Sequence, residues 1–135
     1  MPEELGSILD NLSDIEENSY GDLKLYSGLW ESHKGHKVYI TTAWSGWGKV
    51  SAARATTRIC SACYEGYDID LVLYTGVAGA AKENLKQWDI VIADAVIQHD
   101  MDARPLFNQF EIPALKQIKL KPSKELLDKL TKTLS

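Results

Sequence analysis

Cysteine, histidine and aspartate residues supply the side-chain types of a redox or a metal site. Cys60 and Cys63 have the spacing of a redox pair, but a reactive pair normally lies at a helix N-terminus, where the thiol pKa falls. This pair lies well inside a predicted helix, so core packing is the simpler interpretation. The candidate metal ligands are His33, His36, His99, Asp100 and Asp102. Because nothing in their spacing brings them to one place, we predict no metal site.

Two glycine-rich turns have the composition of ligand-binding loops. Gly46-Trp47-Gly48-Lys49 is similar to a phosphate-binding loop, but Ala43 stands where the first glycine belongs and Val50 replaces the hydroxyl that binds magnesium. Gly76-Val77-Ala78-Gly79 follows an apolar run without the spacing of a dinucleotide site. Small residues at the carboxyl end of a buried strand nevertheless let a ligand approach the backbone. Ligand contact and a plain tight turn are therefore both open for this second turn.

The hydrophobic pattern indicates the helices and strands that must position these residues. Three segments have helical spacing, two apolar runs are typical of strands buried on both faces, and two further strands form a hairpin at Lys34 and Gly35. The predicted helices span residues 2–13, 49–64 and 123–134, the strands residues 23–30, 36–43, 69–74 and 90–97, and a loop residues 105–113. In the second helix, the residues expected to face the core are Val50, Ala53, Ile59, Cys60 and Cys63. Helices interleaved with buried strands predict a layered α/β fold.

The composition limits the class of protein. The chain has 135 residues, 44% of them hydrophobic and 25% charged, which is typical of one globular domain. A formal net charge of -4 argues against nucleic acid as the main partner, because phosphate binding needs a concentrated basic face. No apolar stretch reaches the length of a membrane span, and the acidic N-terminal segment lacks a signal-peptide pattern. We therefore expect no membrane partner and a cytoplasmic location.

Four short motifs follow one another over about sixty residues. They span residues 45–53, which begin Ser45-Gly46-Trp47-Gly48-Lys49, residues 74–80, which contain Thr75-Gly76-Val77-Ala78-Gly79, residues 87–94, which contain Trp88-Asp89, and residues 99–102, which are His99-Asp100-Met101-Asp102. In this order and spacing they resemble the N-terminal half of the 5'-methylthioadenosine/S-adenosylhomocysteine nucleosidases, which belong to the purine nucleoside phosphorylase superfamily. The resemblance implies hydrolysis of a purine nucleoside without a cofactor. It also implies a layered αβα fold with a mixed, largely parallel sheet, of which residues 1–135 would be a single partial domain.

The resemblance places a catalytic carboxylate near the N-terminus. Met1-Pro2-Glu3-Glu4 resembles the turn that follows the family's first strand, so Met1 would bind substrate and Glu4 would be the general base that activates water. The alternative for Glu4 is a carboxylate stabilised by the dipole of the first helical turn. Val77 stands where many members have a serine beside the ribose, while Ala78 and Gly79 keep the family pattern.

The segment after His99-Asp100 is the expected cover of the nucleoside's 5'-substituent. In the family this segment reaches into the neighbouring subunit's pocket, so the resemblance implies a homodimer. The substrate-binding candidates in this segment are Ala103, Phe107, Phe110 and Pro113. The alternative is a loop whose phenylalanines fold back on their own core.

The family's remaining catalytic groups are expected outside these residues. The resemblance places the proton-donating aspartate, the ribose-binding glutamate and the purine-stacking aromatic later than Ser135, and the central first strand before Met1. We therefore expect the chain to need a partner, either a second copy or a complementing fragment. A phosphorylase and a catalytically incomplete nucleoside-binding or oligomerising subunit remain as alternatives. The phosphorylase is disfavoured because its relatives hold phosphate with an arginine near the glycine turn, and residues 71–74 contain none.

Overall fold

The computed structural model describes residues 2–61 and 68–134, with side chains described from Leu5 onward in the first helix. The chain forms two compact units, Met1–Ala78 and Gly79–Ser135. The described elements are α1 (Pro2–Leu9), β1 (Leu12–Tyr20), β2 (Leu23–Glu31), β3 (Lys37–Thr42), α2 (Lys49–Ser61) and α3 (Lys124–Leu134). The three strands form one antiparallel sheet in the order β1-β2-β3. The chain is thus α/β, as expected, with an antiparallel sheet as its described β structure.

The first helix ends earlier than the sequence predicts. The Asn11 side-chain amide donates to the Ser7 carbonyl at 2.7 Å, and the backbone N–H of Asn11 donates to the Ile8 carbonyl at 3.1 Å. These bonds cap α1, so the predicted helix over residues 2–13 is wrong in its last turn. Strand β1 follows directly and was not predicted. Its sequence contains aspartate, asparagine and two glutamates, which individually disfavour strands, and its pairing with β2 overrides that preference.

The hairpin of β2 and β3 is confirmed. Its turn is held by the Ser32 N–H donating to the His36 carbonyl and the Gly35 N–H donating to the Ser32 carbonyl, both at 2.8 Å. Gly35 has a φ of 77°, in the left-handed region that glycine adopts without a steric cost. The predicted junction at Lys34 and Gly35 therefore lies at the observed turn.

Helix α2 packs on the sheet through a small residue. Ala55 is buried against Leu23 and Leu25, and Ile59, one turn later, packs beside this cluster. At the rim, the Arg54 guanidinium donates to Asp22 Oδ1 at 2.8 Å, and the Arg58 guanidinium stacks on the Tyr20 ring, 3.5 Å from its centroid. These contacts tie α2 to the connection between β1 and β2.

The predicted inward stripe of α2 is correct only in part. Ile59 is half-buried, but Ala53 and Cys60 are exposed and Val50 is 85% exposed. Cys63 lies outside the described residues. The predicted stripe leaves out Ala55, whereas the helix packs on the sheet through this small residue. Core packing of Cys60 is therefore wrong.

A bulge in β1 lies over a glycine of the central strand. The register shifts between Ser13 and Glu16, and Asp14 between them has a φ of 52°. A Cβ added at Gly28 would lie 2.9 Å from the Ser13 carbonyl oxygen and 3.1 Å from Leu12 Cβ. Because the closest atom belongs to the backbone, it cannot rotate away. Because Gly28 has no side chain, the bulged part of β1 can lie close to the backbone of β2.

Gly28→Ala is expected to lower the free energy of unfolding by about 1–3 kcal/mol, because the bulge must shift to admit the methyl group. Chemical denaturation followed by far-ultraviolet circular dichroism measures this change. Gly6→Ala is the matched control: it lies inside α1, and an added Cβ there meets nothing within 4 Å. Since alanine favours helices, this control should be neutral or stabilising. Equal effects of the two substitutions would contradict the close approach.

The described residues of the second unit, 79–134, form one helix and two isolated bridges. Val96 pairs with Leu120 through two backbone hydrogen bonds of 2.9 Å, and Ile112 pairs with Gln117. Helix α3 lies where residues 123–134 were predicted to be helical, and residues 105–113 form turns, as expected for a loop.

The two predicted buried strands are not strands in the structure. Residues 69–74 have no regular structure, and residues 90–97 contain only the bridge at Val96. Leu73 is 59% exposed and Ile90 is 74% exposed. A parallel strand buried on both faces needs neighbouring strands along both edges and helices above and below. The antiparallel sheet of the described residues supplies no such site for residues 69–74.

Candidate functional site

The segment from Met101 to Pro113 is folded on itself. The Phe110 N–H donates to the Met101 carbonyl at 2.8 Å, and the Leu106 and Phe107 N–H groups donate to the Ala103 carbonyl at 3.1 and 3.2 Å. The side chains of the four predicted cover residues are half-buried; these residues are Ala103, Phe107, Phe110 and Pro113. The structure thus places all four in one hydrogen-bonded segment of the second unit.

Two features support the conformation of this segment. Phe110 has a φ of 68°, a value that a bulky residue adopts only where surrounding contacts hold it. The Asn108 side-chain amide donates to Glu111 Oε2 at 2.8 Å, and the Asn108 N–H donates to the same oxygen at 3.3 Å. The segment therefore presents its half-buried apolar side chains on a defined backbone.

An ion pair stands at the start of the segment. Arg104 Nε donates to Asp102 Oδ1 at 2.9 Å, the Arg104 backbone N–H donates to the same oxygen at 3.2 Å, and Arg104 Nη2 donates to Asp102 Oδ2. Chiefly because it accepts these side-chain hydrogen bonds, the Asp102 carboxyl has a pKa lowered to about 2. The same contact raises the pKa of Arg104. Both groups are charged at neutral pH.

Sequence reasoning missed this pair. In the sequence, Asp102 is a candidate metal ligand and the last residue of the fourth motif, and Arg104 has no predicted role. The signal was local: a carboxylate two residues before an arginine in a turn can accept both its backbone N–H and its side chain.

The second glycine-rich turn is open. Val77 is 88% exposed, Ala78 and Gly79 are exposed, and a Cβ added at Gly79 would meet nothing within 4 Å. Val77 and Ala78 belong to the first unit, and Gly79 belongs to the second. The backbone here can be approached by a ligand, which fits one of the two interpretations of this turn.

The proposed general base lies in the first turn of a helix. Glu4 is the third residue of α1, where free backbone N–H groups and the helix dipole favour a carboxylate. Met1 lies outside the described residues. Glu4 belongs to the unit that contains Val77 and Ala78, while Gly79 and the four cover residues belong to the other unit.

Grouped metal ligands and membrane-spanning helices are both absent from the described residues. Within residues 2–61 and 68–134, no three histidine, cysteine, aspartate or glutamate side chains are grouped as metal ligands would be. None of the helices in the described part of the chain is long and apolar enough to cross a membrane.

Helices, a sheet and an exposed small-residue turn define the chain as an α/β protein. It belongs to the phosphorylase superfamily, whose family model matches residues 1–135. This match confirms the superfamily indicated by the four motifs.

The chain is also similar to individual proteins that carry a more specific name than the superfamily. The chain is 36% identical over 128 residues to a 5'-methylthioadenosine/S-adenosylhomocysteine nucleosidase of Staphylococcus haemolyticus (strain JCSC1435), covering 94% of this chain and 52% of that protein. It is 33% identical over 132 residues to proteins of the same name from Staphylococcus aureus strains bovine RF122 / ET3-1 and JH9, covering 97% of this chain and 54% of those proteins. The chain therefore spans about half the length of the curated relatives it matches.

Proposed function

We propose that this chain is the N-terminal part of an enzyme that hydrolyses the N-glycosidic bond of 5'-methylthioadenosine and S-adenosylhomocysteine and releases adenine. The observation that carries the proposal is the similarity to nucleosidases of that name along 94–97% of the chain. The superfamily match over residues 1–135 supports it.

The proposed reaction passes through a transition state with oxocarbenium character. Glu4 would accept a proton from the attacking water, because a carboxylate is a suitable base for that step. The departing adenine must in turn receive a proton from a second group. We assign no residue of this chain to that step.

Substrate contacts are proposed for the turn and the folded segment. Val77, Ala78 and Gly79 would let the ribose approach the backbone, and Met1 would contribute to the pocket. The half-buried cover residues within residues 101–113 would enclose the 5'-substituent of a nucleoside bound to the neighbouring copy of the chain, since an alkylthio group is best held by apolar side chains. These roles follow from the motif resemblance and are supported by the openness of the turn and the folded state of the segment.

The proposal extends to the complete assembly. Residues 1–135 would belong to one layered αβα domain with a mixed, largely parallel sheet, and the active form would be a homodimer or a chain joined by a complementing fragment. The enzyme would act in the cytoplasm in methionine salvage, without metal, cofactor, nucleic acid or membrane.

Adenine release from 5'-methylthioadenosine, measured with and without inorganic phosphate, tests the reaction. We expect release that does not depend on phosphate, because water is the proposed nucleophile. Release that requires phosphate would instead identify a phosphorylase. The solution mass, measured in parallel by light scattering, shows whether an active sample is a monomer or an assembly. If no assembly of the chain releases adenine or binds nucleoside, the remaining interpretation is a catalytically incomplete subunit that only oligomerises.

A further inference from the structure

The Asp102–Arg104 ion pair flanks Ala103, one of the proposed cover residues of the 5'-substituent. Arg104 is the one lysine or arginine between Asp100 and Lys116 in the sequence. Ala103 lies between the two charged residues, and its carbonyl accepts the N–H groups that fold the segment. The pair is therefore built into the segment that holds the apolar cover residues.

The two charged side chains keep binding capacity while they are paired. The Asp102 and Arg104 side chains are 43% and 58% exposed. Arg104 uses Nε and Nη2 toward Asp102, so its Nη1 hydrogens are not engaged by that carboxylate. The Asp102 oxygens likewise have more acceptor positions than this contact fills. A ligand that brings both an ammonium and a carboxylate can complete a four-charge arrangement with them.

The two proposed substrates differ in the charged groups of their 5'-substituents. 5'-Methylthioadenosine ends in an uncharged methyl thioether, whereas S-adenosylhomocysteine ends in an amino acid with a free ammonium and a free carboxylate. A guanidinium matches a carboxylate in shape and charge, and an aspartate attracts an ammonium. The apolar side chains suit the thioether and methylene groups that both substrates share.

We propose that Asp102 and Arg104 form a subsite for a zwitterionic amino acid on the 5'-substituent, and so set the preference for S-adenosylhomocysteine over 5'-methylthioadenosine. This inference rests on the proposed function and names a specificity determinant within the same site. Arg104 binds the ligand carboxylate and Asp102 binds the ligand ammonium. Because both pairs are partly exposed, raising the salt concentration weakens the preference.

The test is the ratio of kcat/KM for S-adenosylhomocysteine to kcat/KM for 5'-methylthioadenosine, measured on the full chain in its active assembly. Arg104→Ala is expected to lower this ratio by about three- to tenfold, as for loss of one partly exposed charge-assisted contact. Asp102→Asn should lower it in the same direction. Lys119→Ala, which removes an exposed positive charge from the same unit, is the matched control and should leave the ratio unchanged.

The outcomes separate this inference from the proposed function. Cleavage of both substrates with a ratio that Arg104→Ala leaves unchanged overturns the subsite alone. If the wild-type chain binds both nucleosides without turnover, the ratio of the two dissociation constants replaces the ratio of kcat/KM values as the test. The same expectation then applies to each variant. A wild-type chain that neither cleaves nor binds either nucleoside overturns both proposals. Circular dichroism of each variant identifies loss of folding.

Discussion

Replacing Glu4 with glutamine is expected to lower adenine release by about 10²–10⁴-fold, the usual contribution of a general base. Glutamine has nearly the same size and shape as glutamate, but its amide cannot accept a proton from water. The dissociation constant for 5'-methylthioadenosine should change little, because the proposed role concerns the attacking water rather than the nucleoside. Steady-state kinetics and equilibrium binding on the active assembly measure the two effects separately.

Glu3→Gln is the matched control for this substitution. Both glutamates lie in the first turn of α1, so each change removes the same charge from the same end of the helix dipole. Consecutive positions of a helix lie about 100° apart around its axis, so the two substitutions test different positions of the same turn. Similar losses for the two variants, or retained turnover with Glu4→Gln, would return Glu4 to a helix-stabilising role.

Leu25→Ala is expected to destabilise the first unit by about 2–5 kcal/mol, the range for removing a buried leucine side chain. Leu25 is fully buried in the central strand and packs with Leu23 and Ala55. The described core is small, so few neighbours can move to fill the cavity. Denaturant unfolding monitored by circular dichroism measures the change in free energy.

Val50→Ala provides the comparison for this core substitution. Val50 is also an aliphatic residue of the first unit, but it is 85% exposed on α2. Alanine there loses little packing and has the higher helix propensity, so the free energy of unfolding should stay the same or rise slightly. A loss as large as that of Leu25→Ala would contradict the observed packing of α2.

The elements with strong local signals were predicted from the sequence. The hairpin has two runs of strand-forming residues around a glycine turn, and α2 and α3 have helical spacing of apolar residues. Strand β1 lacks such a signal because Asp14, Glu16 and Glu17 occupy it. Its pairing depends on β2, which lies later in the chain.

Some features of the candidate site were predicted from the sequence, and others were found only in the structure. The four motifs, in their order and spacing, predicted the superfamily, and the match along residues 1–135 confirms it. The roles of Glu4 and the cover residues stay predictions. The Asp102–Arg104 pair was identified only in the structure, because its local signal depends on a turn conformation that the residue types alone do not specify.

The sequence by itself determined the superfamily, the β2–β3 hairpin, the position of α3 and the residues that could do chemistry. These depend on residue identity and on spacing along one element. Only the tertiary structure decided that β1 is a strand, that its bulge crosses Gly28, and that α2 approaches the sheet through Ala55 rather than Val50. Each of these depends on atoms far apart in the sequence, whose contact energies outweigh local preferences of about 1 kcal/mol or less per residue.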